Sequence, residues 1–539
     1  VTFAGDIARL VWTRCAPCHR PGQSAPFNLL DLEDCRRHAK EIAVVTSRRQ
    51  MPPWLPEKGR YAFEAERSLT AQELGLLQQW IEDGMPEGDR GSLGRKPEWA
   101  DGWSMGKPDL VVQMARPYVL PAEGRDVYRN FTVAVPTSDK RFVRGVEFRS
   151  GTPRVVHHAF IYLDSTRQSR REEEAQTEPG FPGLRPPDTA KMPNGQFLSY
   201  QPGKLPAFSR PGLGWTLAPG SDLVLQLHLT PSGKREEVQA SVGFYFTDQA
   251  PTNTPFKLLL NSLTMVIPPG VSNYVVEDSF ELPCDVSLMG VLPHAHYLAQ
   301  SVEGTATLPT GERVSLLSIP HWDFRWQGDY PYREFVPLPR GTRLTMRWVY
   351  DNSADNPLNP NRPPRAMTYG PPTSDEMAEL WFQALVPDAG DLARLQSAYA
   401  SKSVAMFAGR ARFLLDRNPE DPKGHFMQAS VLLNRREGAA ALAEFERALK
   451  AKPDYQEACF NIGLLDLQTK RPAAARAALL QAVRLDPNDG SAYGALGMAE
   501  LALGHRTEGE TALTRALDLN PGDRSARRAL ERARSQPRQ

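Results

Sequence analysis

The chain has 539 residues, and at about 150 residues per domain that length calls for three or four domains rather than one hydrophobic core. Hydrophobic residues at 41% and charged residues at 24% are ordinary globular proportions, which excludes a mainly disordered or fibrous chain. Lys plus Arg (64) balance Asp plus Glu (63), so no global field gathers phosphate backbones and no nucleic-acid partner is expected; no apolar run approaches the ~20 residues of a spanning helix.

Residues 1–90 read as short helices over 6–14, 32–48 and 71–83, joined by Pro/Gly turns. The first is followed by Cys15-Ala16-Pro17-Cys18-His19. In such a C-x-x-C-H sequence two thiols can form thioethers to haem vinyl groups while the histidine ligates the iron. A redox dithiol or half a zinc site is the alternative, but no second C-x-x-C completes four zinc ligands. This segment resembles small c-type cytochromes, which usually present their sixth ligand, a methionine, where Met51 stands here in Met51-Pro52-Pro53-Trp54; Met85 and His38 compete for that role. Covalent haem attachment implies export to the periplasm or cell exterior. The chain opens at Val1 rather than Met, which is compatible with removal of a leader peptide.

Gly, Lys, Pro and Trp dominate 91–108, read as a linker. Alternating strands then follow at 142–148, 155–163, 223–229, 242–246 and 344–350, giving β-sandwich texture. A break near 252–256 divides the region into two sandwiches, 109–252 and 253–386. Five of the ten histidines cluster in three short stretches of this region, Val155-Val156-His157-His158, Leu225-Gln226-Leu227-His228 and Pro293-His294-Ala295-His296. His294 and His296 are two apart, so on a strand both face one way and can chelate one ion. His157 and His158 would face opposite ways, so joint ligation needs a bulge or a strand end. Three imidazoles do not identify the metal.

The stretch Thr373-Ser374-Asp375-Glu376-Met377 adds a thioether. An adjacent histidine pair, a strand ending Gln-x-His, then His-x-His and a Ser-Asp-Glu-Met segment occur in this order over about 109–386. The order resembles the copper type II, ascorbate-dependent monooxygenases, the family of peptidylglycine alpha-hydroxylating monooxygenase and dopamine beta-monooxygenase. The resemblance implies two copper ions, one held by His157, His158 and His228 and storing an electron, the other held by His294, His296 and Met377 where dioxygen is activated. It also implies that the two sites face each other across a solvent cleft. Gln226 matches a glutamine of the peptide-hydroxylating member. That member's carboxylate-gripping arginine is replaced here by Leu292, and its substrate-contacting asparagine and tyrosine by Glu379 and Trp381, so peptide amidation is not expected. Asp375 and Glu376 read as solvated loop carboxylates, and His321, His425 and His505 as surface or core histidines. The remaining cysteines, 35, 284 and 459, are scattered, which argues against a disulfide framework.

After a linker helix at 387–404, residues 405–535 are Ala/Leu/Arg-rich and periodic. Pro419, Pro453, Pro487 and Pro521 recur every 34 residues, as do Ala429, Gly463 and Gly497, and Ala448, Ala482 and Ala516. This pattern resembles tetratricopeptide repeats, helix pairs stacked into a solenoid.

The expected architecture is therefore multidomain: an all-α cytochrome c domain (1–90), two all-β sandwich copper domains, and an all-α tetratricopeptide solenoid. The expected function is an exported copper-dependent monooxygenase hydroxylating a C–H bond of a small-molecule or peptide-like substrate with dioxygen. Its electrons come from an external donor through one covalently attached haem. The alternative is a non-catalytic redox or assembly protein whose repeats bind a protein partner or further copies of the chain.

Overall fold

The computed structural model describes residues 1–99, 102–193 and 195–535; residues 100 and 101, within the linker expected at 91–108, lie outside the described residues. At the N-terminus a π-helical turn, Phe3–Ile7, runs into α1 (Ala8–Arg14), followed by α2 (Leu32–Arg37), α3 (Ala39–Ser47) and α4 (Ala71–Glu82). The single helix read over 32–48 is interrupted at His38, whose backbone leaves helical geometry (φ −107°, ψ 10°). Helix α4 begins with a capping box: Thr70 Oγ1 accepts from the Glu73 amide, and the Glu73 carboxylate accepts from the Thr70 amide, satisfying two amides that the helix leaves free. Phe3, Ile7, Val11, Leu77 and Trp80 form the core of this segment.

The middle of the chain is two β-sandwiches. In the first, a sheet of strands 110–113, 241–247, 141–149 and 215–217 faces one of 181–182, 127–134, 222–229, 156–164 and 199–200, with a short helix α5 (Gln168–Glu174) beside it. The strand Asp222–Leu229 is buried at every position. Leu223, Leu225, Leu227 and Leu229 enter the core between the sheets, so Gln226 and His228 occupy the opposite face of the same strand. The second sandwich pairs strands 256–261, 378–385, 286–295 and 330–338 against 274–281, 343–350, 299–307 and 313–319. Along Arg343–Tyr350, Leu344, Met346, Trp348 and Tyr350 are fully buried and alternate with more exposed residues, the two-residue period of a half-buried strand.

Residues 55–64 of the N-terminal segment dock onto the second sandwich. Phe63 bridges to Tyr332 and is buried in that sandwich's core, the Glu64 amide donates to the Pro331 carbonyl (2.8 Å) and the Arg333 amide to the Ala62 carbonyl (2.8 Å). The N-terminal segment is thereby stitched along the edge strand 330–338.

Helix α6 (Ala389–Arg417) is one continuous element across the boundary expected at 404/405. Its first half packs on the second sandwich, with Leu395 in the core, Tyr399 Oη accepting from the Leu259 amide (3.2 Å) and Lys402 Nζ 2.6 Å from Asp278. Its second half begins the solenoid of α7 (Pro422–Asn434), α8 (Gly438–Ala451), α9 (Gln456–Gln468), α10 (Pro472–Leu485), α11 (Gly490–Ala502), α12 (Arg506–Leu519) and α13 (Arg524–Ser535). Small residues recur because neighbouring helices approach closely there: a Cβ on Gly497 would lie 2.6 Å from Leu513 Cγ. All five cysteines are unpaired. Among the described residues no helix is long and apolar enough to cross a membrane.

Candidate metal and haem sites

His158 and His228 are direct partners across the ladder between Val156–Asp164 and Asp222–Leu229. The preceding rung joins Val156 to Leu229, so His157 is the extra residue of a bulge. A bulge of this kind re-aims a side chain, and here it brings His157 to the face occupied by His158 and His228. The three ring centroids are 4.7–5.6 Å apart, and the candidate ligand nitrogens all lie within 4.8 Å of one another. The Nδ1 atoms of all three rings are buried with no hydrogen-bond partner. Three unpartnered, convergent nitrogens are costly to bury unless something binds them. His228 Nε2 lies 2.7 Å from Asp126 Oδ2, and its ring stacks on Tyr128 (4.2 Å, 14°); with Nε2 carrying the proton, the Nδ1 lone pair is free. Burial, reinforced by the neighbouring His228, pushes His157 down to about 4 and holds His158 well below the usual histidine range. Both are neutral near pH 7. Gln226 shares the face, and its side-chain nitrogen also has no partner.

The second cluster uses the opposite ring nitrogens. His294 Nδ1 donates to Gln327 Oε1 (2.6 Å) and His296 Nδ1 to the Asp375 carbonyl (2.9 Å), leaving Nε2 of each as the lone-pair donor. The ring centroids are 5.4 Å apart. The ladder ends at the Ala295–Ala378 pair, and just beyond it the amides of His296 and Met377 both donate to Glu376 Oε1. Met377 is buried, its carbonyl accepts from Tyr350 Oη (2.6 Å), and its amide donates to Glu376 (2.9 Å). Burial pushes His296 down to about 3, with His294 adding to the shift.

Glu376 departs from the reading of a solvated loop carboxylate. It is fully buried, and its two oxygens accept from the amides of His296, Leu298 and Met377. Burial nonetheless raises it to about 8. The carboxyl group ties the His-x-His segment to the methionine.

One loop between strands 313–319 and 330–338 reaches both clusters. Trp322 Nε1 donates to the His296 carbonyl (3.3 Å), and Gln327 holds His294. Phe324 lies 6.2 Å from the His157 ring and 5.8 Å from the His296 ring. Where the resemblance implied a solvent cleft, a phenyl ring packs against imidazoles of both clusters. His321, on the same loop, is exposed.

Cys15 and Cys18 lie in one helical turn, with the amides of Cys18 and His19 donating to the Cys15 carbonyl (3.1 and 2.9 Å). Burial, and then Cys18, push the Cys15 thiol up to about 12. His19 Nδ1 donates to the Phe27 carbonyl (3.1 Å), so Nε2 remains for a metal. Unpaired adjacent thiols and an imidazole with one free nitrogen suit covalent haem attachment. Met51 is half-buried just beyond α3, its amide donating to the Val45 carbonyl (3.2 Å). Met85 packs against the N-terminal core, and His38 stacks on Phe27 (3.7 Å).

Asp126, Gln327 and Phe324 escaped the sequence reading because each reaches its histidine from a distant segment and carries no motif. Glu376 had a signal in its position directly beside Met377, a candidate ligand.

No curated protein matches the chain. Family models described as tetratricopeptide repeat match residues 408–455, 426–490 and 490–523. Among solved structures, the first TPR of Spaghetti (RPAP3) bound to HSP90 peptide SRMEEVD is similar at 20% identity over 21% of this chain and 90% of that one (TM-score 0.21). The Arabidopsis OM64 TPR domain is 19% identical over 22% and 96% (TM-score 0.21). The MamA RS-1 double mutant is 24% identical over 26% and 76% (TM-score 0.23). The C-terminal region of this chain consists of tetratricopeptide repeats.

Proposed function

We propose that the chain is an exported copper-dependent monooxygenase that hydroxylates a C–H bond with dioxygen, with electrons supplied through its own c-type haem. The observation that carries this reading is the set of three buried, unpartnered Nδ1 atoms of His157, His158 and His228, a donor set suited to a redox metal and not to packing. When bound, copper supplies one-electron redox chemistry and affinity for dioxygen, and a methionine ligand favours its reduced state. The chain's part is to prepare the ligands. Asp126 fixes the His228 tautomer, Gln327 and the Asp375 carbonyl fix those of His294 and His296, and burial keeps His157, His158 and His296 neutral.

The same sheet face suggests the substrate's character. Leu292 and Trp381 are partners across the ladder, two rungs from His294 and Glu379 and so on the same face. An apolar pair stands where a carboxylate-gripping arginine would be, so an apolar group is presented to the His294/His296/Met377 site rather than a chain terminus. Metal analysis with a pyridine haemochrome spectrum tests the reading, with two coppers and one covalent haem per chain expected together with substrate-stimulated oxygen uptake. Zinc at these positions would remove the redox chemistry.

A second reading is favoured by the repeats: a redox or assembly protein whose solenoid holds a protein partner or another copy of the chain. Haem and copper without oxygen uptake for any substrate would select it.

A further inference from the structure

The N-terminal segment touches the first sandwich through the Arg210–Glu64 ion pair (2.6 Å) and, beside the C-x-x-C-H turn, at Gly203. Gly203 has φ +83°, and a Cβ there would lie 3.1 Å from the Arg67 guanidinium and 3.3 Å from Cys18 Sγ. Arg67 donates to the Gly203 carbonyl, and also to the Pro53 carbonyl at 3.2 Å. Tyr200 belongs to the strand Ser199–Tyr200, where it pairs with Ala159 of Val156–Asp164. Ala159 adjoins His158.

Cys18 therefore stands against a loop whose strand is hydrogen-bonded to the strand carrying His157 and His158. The route contains a single through-space step, from Cys18 to the 200–203 turn. A second route exists toward the other cluster. Trp54 packs on Tyr330 (5.5 Å), and Tyr330 pairs with Val291, which is three residues from His294. The first route ends one residue from a ligand and starts at a cysteine of the haem motif. The second starts at Trp54, outside that motif, although the Arg67 guanidinium also lies over its ring (5.8 Å), so Gly203 rather than Arg67 distinguishes the two.

We propose that the seam of Cys18, Arg67, Gly203 and Tyr200 is the electron-entry point, delivering electrons from the haem-bearing segment to the His157/His158/His228 site and not to the His294/His296/Met377 site. The proposal rests on the haem and copper reading above. Each transfer oxidises one ferrous haem to ferric and reduces one cupric ion to cuprous; no bond is made or broken, and an external one-electron donor re-reduces the haem. Gly203 suits the seam because its φ of +83° is one that side-chain-bearing residues rarely adopt and a Cβ would press on Arg67 and Cys18, while Arg67 clamps the two surfaces together.

In the test, the full chain loaded with haem and cupric copper receives a single-electron pulse without oxygen. The decay of the reduced haem band is followed with the loss of the cupric resonance signal. Gly203→Val and Arg67→Ala are each expected to slow this decay about tenfold, with haem content and haem midpoint potential unchanged; Arg67→Ala serves if Gly203→Val does not fold. Trp54→Leu should leave the rate unchanged. His228→Ala should abolish the decay and His294→Ala retain it. The reverse pattern for the histidines, or slowing by Trp54→Leu but by neither seam variant, would overturn the proposal. A haem that stays reduced beside bound copper, with oxygen uptake still driven by ascorbate, sinks the seam and leaves the oxygenase standing. Failure to bind copper sinks both.

Discussion

The Asp126 carboxylate lies 2.7 Å from His228 Nε2, and this contact decides which nitrogen of a fully buried imidazole is left as a lone pair. The hydrogen bond from His228 in turn holds Asp126 below the usual carboxylate range. Replacing Asp126 by Asn keeps the shape and removes the charge, and Asn can offer N–H where an acceptor is needed. We expect Asp126→Asn to weaken copper binding at the first site by about 10–100-fold and to leave haem attachment intact, as measured by copper titration of the haem-containing protein.

The pH dependence of the metal-free protein has two opposed parts. His157 is lowered from 6.5 to about 4, so between those values the unfolded chain binds more protons and stability falls as pH drops from 6.5 toward 4. Glu376 is raised from 4.5 to about 8, so its contribution is present at low pH and is lost as pH rises through that range. His158, His296 and His19 are lowered in the same direction as His157, so the histidine drift fades only about one pH step above 6.5 and the Glu376 drift dominates beyond it. Thermal unfolding should show stability declining from about pH 7.5 toward 8.5, and Glu376→Gln should flatten that decline.

Met377 is buried, and its amide shares Glu376 Oε1 with the amide of His296; truncation to Ala would cost about 2–5 kcal/mol through the cavity alone. Met377→Leu nearly conserves volume and removes only the thioether. We expect Met377→Leu to retain the fold and the haem spectrum and to lose substrate-stimulated oxygen uptake. Uptake equal to that of the unaltered protein would remove Met377 from the site.

In the repeats, a side chain at Gly497 meets Leu513 Cγ at 2.6 Å and the Gly509 carbonyl at 3.0 Å. Gly497→Val should destabilise the solenoid by about 1–3 kcal/mol. Because each repeat leans only on its neighbours, the loss should appear as an earlier helical unfolding transition, read by circular dichroism, with copper binding unchanged.

Much of this organisation was legible in local pattern. The 34-residue register of Pro419, Pro453, Pro487 and Pro521 and the alternation of Leu344, Met346, Trp348 and Tyr350 are written in short-range spacing, because helices and strands have fixed periods. The break at His38 and the continuity of α6 across 404/405 were not legible. Helix ends follow from packing: Leu395, Tyr399 and Lys402 hold α6 to the second sandwich while its other half starts the solenoid.

By itself, the order of residues determined the C-x-x-C-H turn, the repeat period and the strands on which the histidines lie. Tertiary structure alone decided that His157 bulges to join His158, that His228 meets them from a strand far along the chain, and that Phe324 stands between two clusters. It also decided that Glu376 is buried, accepting from the amides of His296, Leu298 and Met377, rather than solvated. The physical reason is one of range. A motif's chemistry and a period are settled by bonds between near neighbours. A partner such as Asp126 or Gln327 is chosen only when separate segments are driven together by burial, where each buried donor and acceptor must find its match.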